Sequence, residues 1–363
     1  MSQTAPSEGL PIAARLAKAG PALRGTLSAL GAALAFGATL PLIARAAAGA
    51  SALSTASLLY AGAALVAAFG SLGRSEQMRL RPQHLPRLFA VALCGAAIGP
   101  AALVAGLQRV GGATGSLLLN FEALFTVLLA ARLFHEPIGR RVAAALSLMT
   151  AAGLWLALGA GGTRSWSLAG AALVLLATFA WALDNALSRP LSEVRPLAVV
   201  AAKSTLGAAM TCALALVSHS PGPAPRPAMA LLACGALGYG ASLALYLRAQ
   251  RSIGAARTAS IFAIAPFWGA ALALASSGAA PSAAQLGAAL LFALGVWLHA
   301  SEHHSHAHAH EPLEHEHPHR HDDGHHAHEH AQGVAGEHSH WHAHGALSHE
   351  HEHAPDLHHL HHR

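Results

Sequence analysis

Ten apolar stretches of about twenty residues follow one another between residues 26 and 300, each long enough to cross the hydrocarbon core of a bilayer as a helix. Their bounds are 26–47, 51–72, 87–107, 111–133, 141–160, 167–188, 197–218, 228–248, 253–275 and 282–300. Short connections rich in Gly, Pro and Ser separate them, such as "SRPLSEVRP" and "SHSPGPAPRP". With 53% hydrophobic and only 11% charged residues, the chain is too apolar for an ordinary soluble domain. The expected fold class is an all-α polytopic membrane protein of ten transmembrane helices. A sequence pI near 9.6 suggests nucleic-acid binding at first sight. The basic residues, however, sit in short loops between apolar spans, so nucleic acid is not expected as a partner and membrane lipid is.

Charge fixes an orientation. With the N terminus inside, the inner segments hold fourteen basic residues: Arg15, Lys18, Arg24, Arg74, Arg79, Arg81, Arg87, Arg132, Arg140, Arg141, Arg189, Arg195, Arg248 and Arg251. The outer loops hold four: Arg45, Arg109, Arg164 and Arg226. This positive-inside bias puts both termini of a ten-span protein in the cytoplasm, and the inner (plasma) membrane is the expected location. Residues 1–25 carry no signal-peptide pattern and read as a disordered cytoplasmic tail. Cys94, Cys212 and Cys234 lie in three different apolar segments without a CxxC pair, which leaves them as small buried residues rather than a thiolate site.

The chain repeats itself. "VGGATGSLLLNFEALFTVLLA" from Val110 aligns without gaps to "IGAARTASIFAIAPFWGAALA" from Ile253, and "GLWL" at Gly153 matches "GVWL" at Gly295. The repetition divides the spans into two five-helix halves, residues 26–160 and 167–300. An odd number of helices per half forces the two into opposite orientations, an arrangement found in secondary transporters with the site at the interface between repeats.

These segments resemble the EamA branch of the drug/metabolite transporter superfamily. The resemblance covers about residues 26–300 and is carried by "LNFEALFTVLLAARLFHEPIGRR", "AAGLWLAL", "FAWALDNALSRPL", "AAKSTLGA" and "SIFAIAPFWGAALAL". It implies transport of a small solute, often the efflux of metabolites or amino acids, and names no substrate. The family usually carries a proline where Ala123 stands; Pro266 occupies the matching place in the second half. A straighter fourth helix, with a kink only in the ninth, is the expectation.

Charges inside the spans are few and costly, about 2.5–3.5 kcal/mol each near a helix centre, so each is expected to face a cavity or a partner. Glu122, Asp184, Lys203 and Arg257 are the four. Asp184 and Lys203 fall at similar depth on spans joined by a short loop, so a pair is expected, either as a structural bridge or at a substrate site, with Asn185 sharing the network. Arg257 either snorkels to the interface or meets an anionic substrate or Glu122. Glu122 lies mid-span with no cation at its depth in its own half. Desolvation favours its neutral form, so it reads either as a proton-, cation- or substrate-binding group or as a protonated structural carboxyl. Asn120 faces away from it, and Thr126 shares its face. Trp181 and Trp268 are placed to line a cavity, while Trp155, Trp297 and the three tyrosines read as packing residues. No nucleophile triad, phosphate loop or catalytic carboxylate pair is present, so an enzyme is not expected.

Beyond Ser301 the composition changes: 24 of the 28 histidines fall in the last 63 residues, with eleven acids against Arg320 and Arg363. The collective metal-binding candidates are His303, His304, His306, His308, His310, His315, His317, His319, His321, His325, His326, His328 and His330. Imidazole suits Zn, Cu and Ni, alternating His-x-His tracts offer many overlapping partial sites, and Zn, Ni or Co is the metal expected on the tail. The tail, 301–363, is expected to be disordered and cytoplasmic. It either buffers or regulates with metal, delivers metal for transport, or is passive low-complexity sequence. No cofactor is required. Three functions remain open on sequence alone: a small-solute exporter, a divalent-metal efflux protein fed by the tail, and a non-transporting membrane-anchored metal sensor or store. Dimerisation is open as well, since GxxxG-like spacing arises by chance in a chain with 35 glycines.

Overall fold

The computed structural model of the chain describes residues 21–71, 82–134, 138–159, 167–188, 191, 196–253, 255–300, 304–310, 313–319, 338–344 and 347–353. Residues 1–302 form one compact unit and residues 303–363 a second.

The described residues of the first unit are helical wherever they are regular. The first two spans are α1 (Pro21–Ala46) and α2 (Ala52–Ser71). The third is α3 (Leu85–Ala92), a π-helical turn (Leu93–Ile98) and α4 (Gly99–Val110). The fourth is split into α5 (Gly112–Leu118) and α6 (Phe121–Phe134), and α7 (Arg140–Gly159) follows. The second half repeats the order: α8 (Leu168–Ser188), α9 (Pro196–Val217), then α10 (Pro225–Cys234), a π-turn (Gly235–Ala241) and α11 (Ser242–Ile253). It ends with α12 (Ala255–Phe262), α13 (Ala265–Ser277) and α14 (Ala283–Ala300).

Eight of these segments are long and apolar enough to cross a membrane, which makes the chain an all-α multi-pass membrane protein. The other two expected spans exist as helices but fall outside the eight. α7 opens on Arg140 and Arg141, and in α14 the described apolar run is Ala283–Leu298. Large apolar side chains point outward, among them Phe69, Leu168 and Leu290 at 69%, 75% and 75% exposure. Such a surface is stable against lipid and not against water.

Both halves distort their helices at matching places. The π-turns at 93–98 and 235–241, and the breaks at 119–120 and 263–264, recur within one residue of the 143-residue offset that relates Val110 to Ile253. Packing repeats too: α4 lies on α8 as α11 lies on α1, and α6 lies on α8 as α13 lies on α1. α2 packs on α9 and α7 on α14. Where α4 crosses α8, a Cβ on Gly106 would come within 3.0 Å of the Gly170 carbonyl, and one on Gly170 within 3.4 Å of the Gly106 carbonyl. The missing side chains let the two backbones touch, which is how helices associate without a hydrophobic drive.

The fourth span is not straight. Asn120 takes over the task expected of proline: its Nδ2 donates to the Leu117 carbonyl at 2.8 Å. The Leu119 and Asn120 amides also reach back only three residues, to Ser116 and Leu117, each at 3.2 Å. This tight turn ends α5 and lets α6 start afresh. In the ninth span Pro266 stands in the first turn of α13, where its missing N–H costs nothing.

In the second unit, β1 (His304–His310) pairs antiparallel with β4 (Leu347–His353), and β2 (Leu313–His319) with β3 (His338–His344). The sequence reading expects no regular structure there. Histidine alternating with Ala, Ser or Glu is a two-residue period that suits a strand. Of the tail histidines singled out above, His303, His321, His325, His326, His328 and His330 lie outside the described residues, as do residues 1–20 of the N-terminal tail.

Candidate functional site

The site grows out of the first π-turn. In a π-turn the amide bonds five residues back, and here the Gly99 N–H goes to the Cys94 carbonyl. The Gly95 carbonyl would next look to residue 100, which is proline and has no N–H. That carbonyl is therefore free, and two aromatic side chains take it. Tyr60 Oη donates to it at 2.6 Å from α2, and Trp181 Nε1 at 3.0 Å from α8. One backbone oxygen thus ties both halves together.

The face of α8 that carries Trp181 also carries Asp184 and Asn185, three and four residues on. Asp184 is buried, forms an ion pair with Lys203 of α9, and accepts from Ser188 Oγ at 3.3 Å. The expected pair is present, and its side chains are only 12% (Lys203) and 6% (Asp184) exposed. Gly95 makes room for it, because a Cβ there would strike both the carboxylate and the ammonium. Asn185 does not join this network. Its Nδ2 donates to Glu122 Oε1 at 3.1 Å, across the two halves.

Glu122 itself is half-buried in the first turn of α6, because the break at 119–120 makes mid-span the start of a half-helix. The amino-terminal end of a helix favours negative charge, so the break supplies the carboxylate with an electrostatic partner. Thr126 sends its hydroxyl to the Glu122 backbone carbonyl at 2.8 Å, not to its carboxylate. Asn120 is buried and spent on the break. Trp268, 38% exposed, packs by Gly37 on α1 and not within the aromatic cluster. The side chain of Arg257 lies outside the described residues.

An aromatic cluster covers this site. Phe36 stands edge-on to Trp181 and to Tyr239, with centroids 6.1 and 5.7 Å away, and Tyr60 lies 5.4 Å from Tyr239. Tyr239 comes from the second π-turn, and its buried hydroxyl has no hydrogen-bond partner among the described residues. Sequence reasoning left Tyr60 and Tyr239 among packing residues. A glycine with a proline five positions on, within an apolar span, is the signal that would have pointed to Gly95 and hence to its donors. Among the described residues no group of three or more His, Cys, Asp or Glu could hold a metal ion.

The EamA-like transporter family matches the chain twice, over residues 23–158 and 168–301. The chain belongs to this family. The chain is 29% identical over 203 residues to an uncharacterized transporter of Methanothermobacter thermautotrophicus, a match spanning 54% of this chain and 59% of that protein. A crystal structure aligns with 76% of this chain and 97% of its own, with a TM-score of 0.57 and 22% identity, a likeness in fold alone. The family's members are transporters, and the doubled match coincides with the two halves.

Proposed function

We propose that this membrane transporter is a secondary exporter of the inner membrane, moving a small metabolite or amino-acid-like solute by alternating access between two inverted five-helix halves, with both termini cytoplasmic. The observation that carries this reading is the Glu122–Asn185 hydrogen bond. A carboxyl at a helix break in one half bonds a side chain of the other, and Asn185 is exposed while its neighbour Asp184 is sealed. Glu122 is then the group that binds a proton, a cation or the solute, and rocking of one half against the other makes and breaks its contact. The Asp184–Lys203 pair serves as a fixed clamp beside it. The aromatic cluster with the free Tyr239 hydroxyl supplies an apolar wall with one polar contact.

The histidine tail binds and buffers Zn, Ni or Co on the cytoplasmic side. Its density, 24 histidines in 63 residues, favours a second reading, metal efflux fed by the tail. The described spans hold no cluster able to pass a metal along, which favours buffering. A metal sensor or store without transport is the third alternative.

Full-length protein and a 1–300 truncation, reconstituted in liposomes under a proton gradient, separate these readings. Flux of labelled amino acids that survives truncation and is lost in Glu122→Gln is the expected result. Flux of Zn, Ni or Co that needs residues 301–363 would replace it with the metal-efflux reading.

A further inference from the structure

A groove of about 570 Å³ runs between the far end of α1 and α10 and shares no lining residue with the polar site described above. Arg45 and Arg226 stand at one end of it, in the last turn of α1 and the first turn of α10. Thr39, Cys234 and Leu237 lie deeper, six to eleven residues along their helices from the arginines, or roughly 9–16 Å at about 1.5 Å per residue. Apart from Thr39, what lies between is apolar, including Leu42 and Ala230, and no acidic residue lines the groove. Leu42 and Leu237 are 50% and 47% exposed, so the groove opens sideways at the depth of the lipid-facing surface. Arg45 is anchored by donating from one guanidinium nitrogen to the Ser276 carbonyl at the end of α13, and it lines the groove.

We infer that this groove binds an anionic phospholipid, with its phosphate on Arg45 and Arg226 and one acyl chain lying along the apolar floor. Two guanidinium forks match phosphate oxygens in number and geometry. The lining also selects between lipids, since the ammonium of a zwitterionic headgroup finds no carboxylate among the groove residues, whereas a headgroup of net negative charge needs none. The inner end of the groove is Leu237, in the second π-turn, and Thr39 at its side touches Gly238 of the same turn.

The test is lipid retention by the full-length protein, measured by native mass spectrometry during titration with dioleoyl phosphatidylglycerol or dioleoyl phosphatidylcholine. Phosphatidylglycerol is expected to bind more tightly by on the order of tenfold. The double variant Arg45→Gln/Arg226→Gln should abolish that preference, while Arg109→Gln, at the same end of the bundle but outside the groove, should keep it. Ala230→Trp fills the groove without changing charge and should displace the lipid even where the arginine variant folds poorly. Equal affinity for the two lipids, or phosphatidylglycerol binding that survives both the arginine change and the filled groove, would overturn the inference.

Discussion

The two halves of the membrane domain use the same backbone devices for different chemistry. Each has a π-turn in its third helix and a break in its fourth, related by one offset. In the first half the π-turn glycine is Gly95, whose carbonyl is released by Pro100 and taken by Tyr60 and Trp181. In the second half Gly238 stands at the matching place, Leu243 replaces Pro100 and keeps its N–H, and the contact made is with Thr39. The first break carries Asn120 and Glu122; the second carries Ala263 and Ala265 in their places, followed by Pro266. Duplication thus supplied a symmetric frame, and the polar chemistry gathered on one side of it.

The largest expected effect comes from the pair that the second half lends to the first half's π-turn. Removing one partner of a buried ion pair strands the other, at a cost of about 3–5 kcal/mol. Asp184→Ala and Lys203→Ala should each lower stability by about that much, measured by equilibrium unfolding in mixed detergent micelles. Exchanging both, as Asp184→Lys/Lys203→Asp, should recover more than half of the loss. If the losses of the two single reversals simply add in the exchange, the pair is not what secures this corner.

The equivalent glycines sharpen the comparison. Gly95→Ala places a methyl against the Asp184 carboxylate and the Lys203 ammonium, whereas the nearest atoms to a methyl in Gly238→Ala belong to Thr39. Overpacking costs about 1–3 kcal/mol. Gly95→Ala belongs at the upper end because it also pries the charges apart, and Gly238→Ala at the lower. Equal losses would mean that the two π-turns tolerate crowding alike and that the pair adds nothing to the first.

Much of this was readable beforehand, and the reasons are specific. Apolar length gave the helices, internal similarity gave the two halves, and depth from the cytoplasmic end brought Asp184 to Lys203, because a short loop leaves two antiparallel helices little freedom of register. Residues 184 and 185 were harder. Adjacent side chains on a helix diverge by about 100°, so Asp184 and Asn185 serve different partners, and only the packing of α8 between the π-turn and α6 decides which. The break at Asn120 was hidden because an asparagine side chain can cap a carbonyl as effectively as a proline interrupts a helix, yet it is far less specific as a signal. Tyr60 and Tyr239 look like any apolar-span tyrosine until the freed Gly95 carbonyl and the unpaired Tyr239 hydroxyl are seen together.

A smaller effect should follow from Pro100→Ala. It returns an N–H to the helix within reach of the Gly95 carbonyl, so Tyr60 and Trp181 must share their acceptor. The expected change in stability is about 1 kcal/mol, the net worth of an ordinary hydrogen bond. The more sensitive readout is the fluorescence of Trp181 in a variant whose other tryptophans are replaced by Phe. Leu243→Pro makes the reverse change in the second half and should leave Trp181 emission where it was, since Trp181 bonds the first π-turn.

The smallest effects separate the two breaks. Asn120→Ala leaves the Leu117 carbonyl without its side-chain donor and should cost about 1 kcal/mol. Pro266→Ala removes no hydrogen bond, because the proline sits in a first turn whose amide has no helical partner. It should cost only about 0.5 kcal/mol, through a more flexible unfolded chain. The functional readout is expected to order them the same way. Asn120 holds the turn that makes Glu122 the start of a half-helix, so its loss should let the fourth span straighten and weaken the Asn185 contact, whereas α13 begins at Ala265, a position without a polar group to misplace. Coupled flux that falls more in Pro266→Ala than in Asn120→Ala would mean that the second break, not the first, is where the transporter bends.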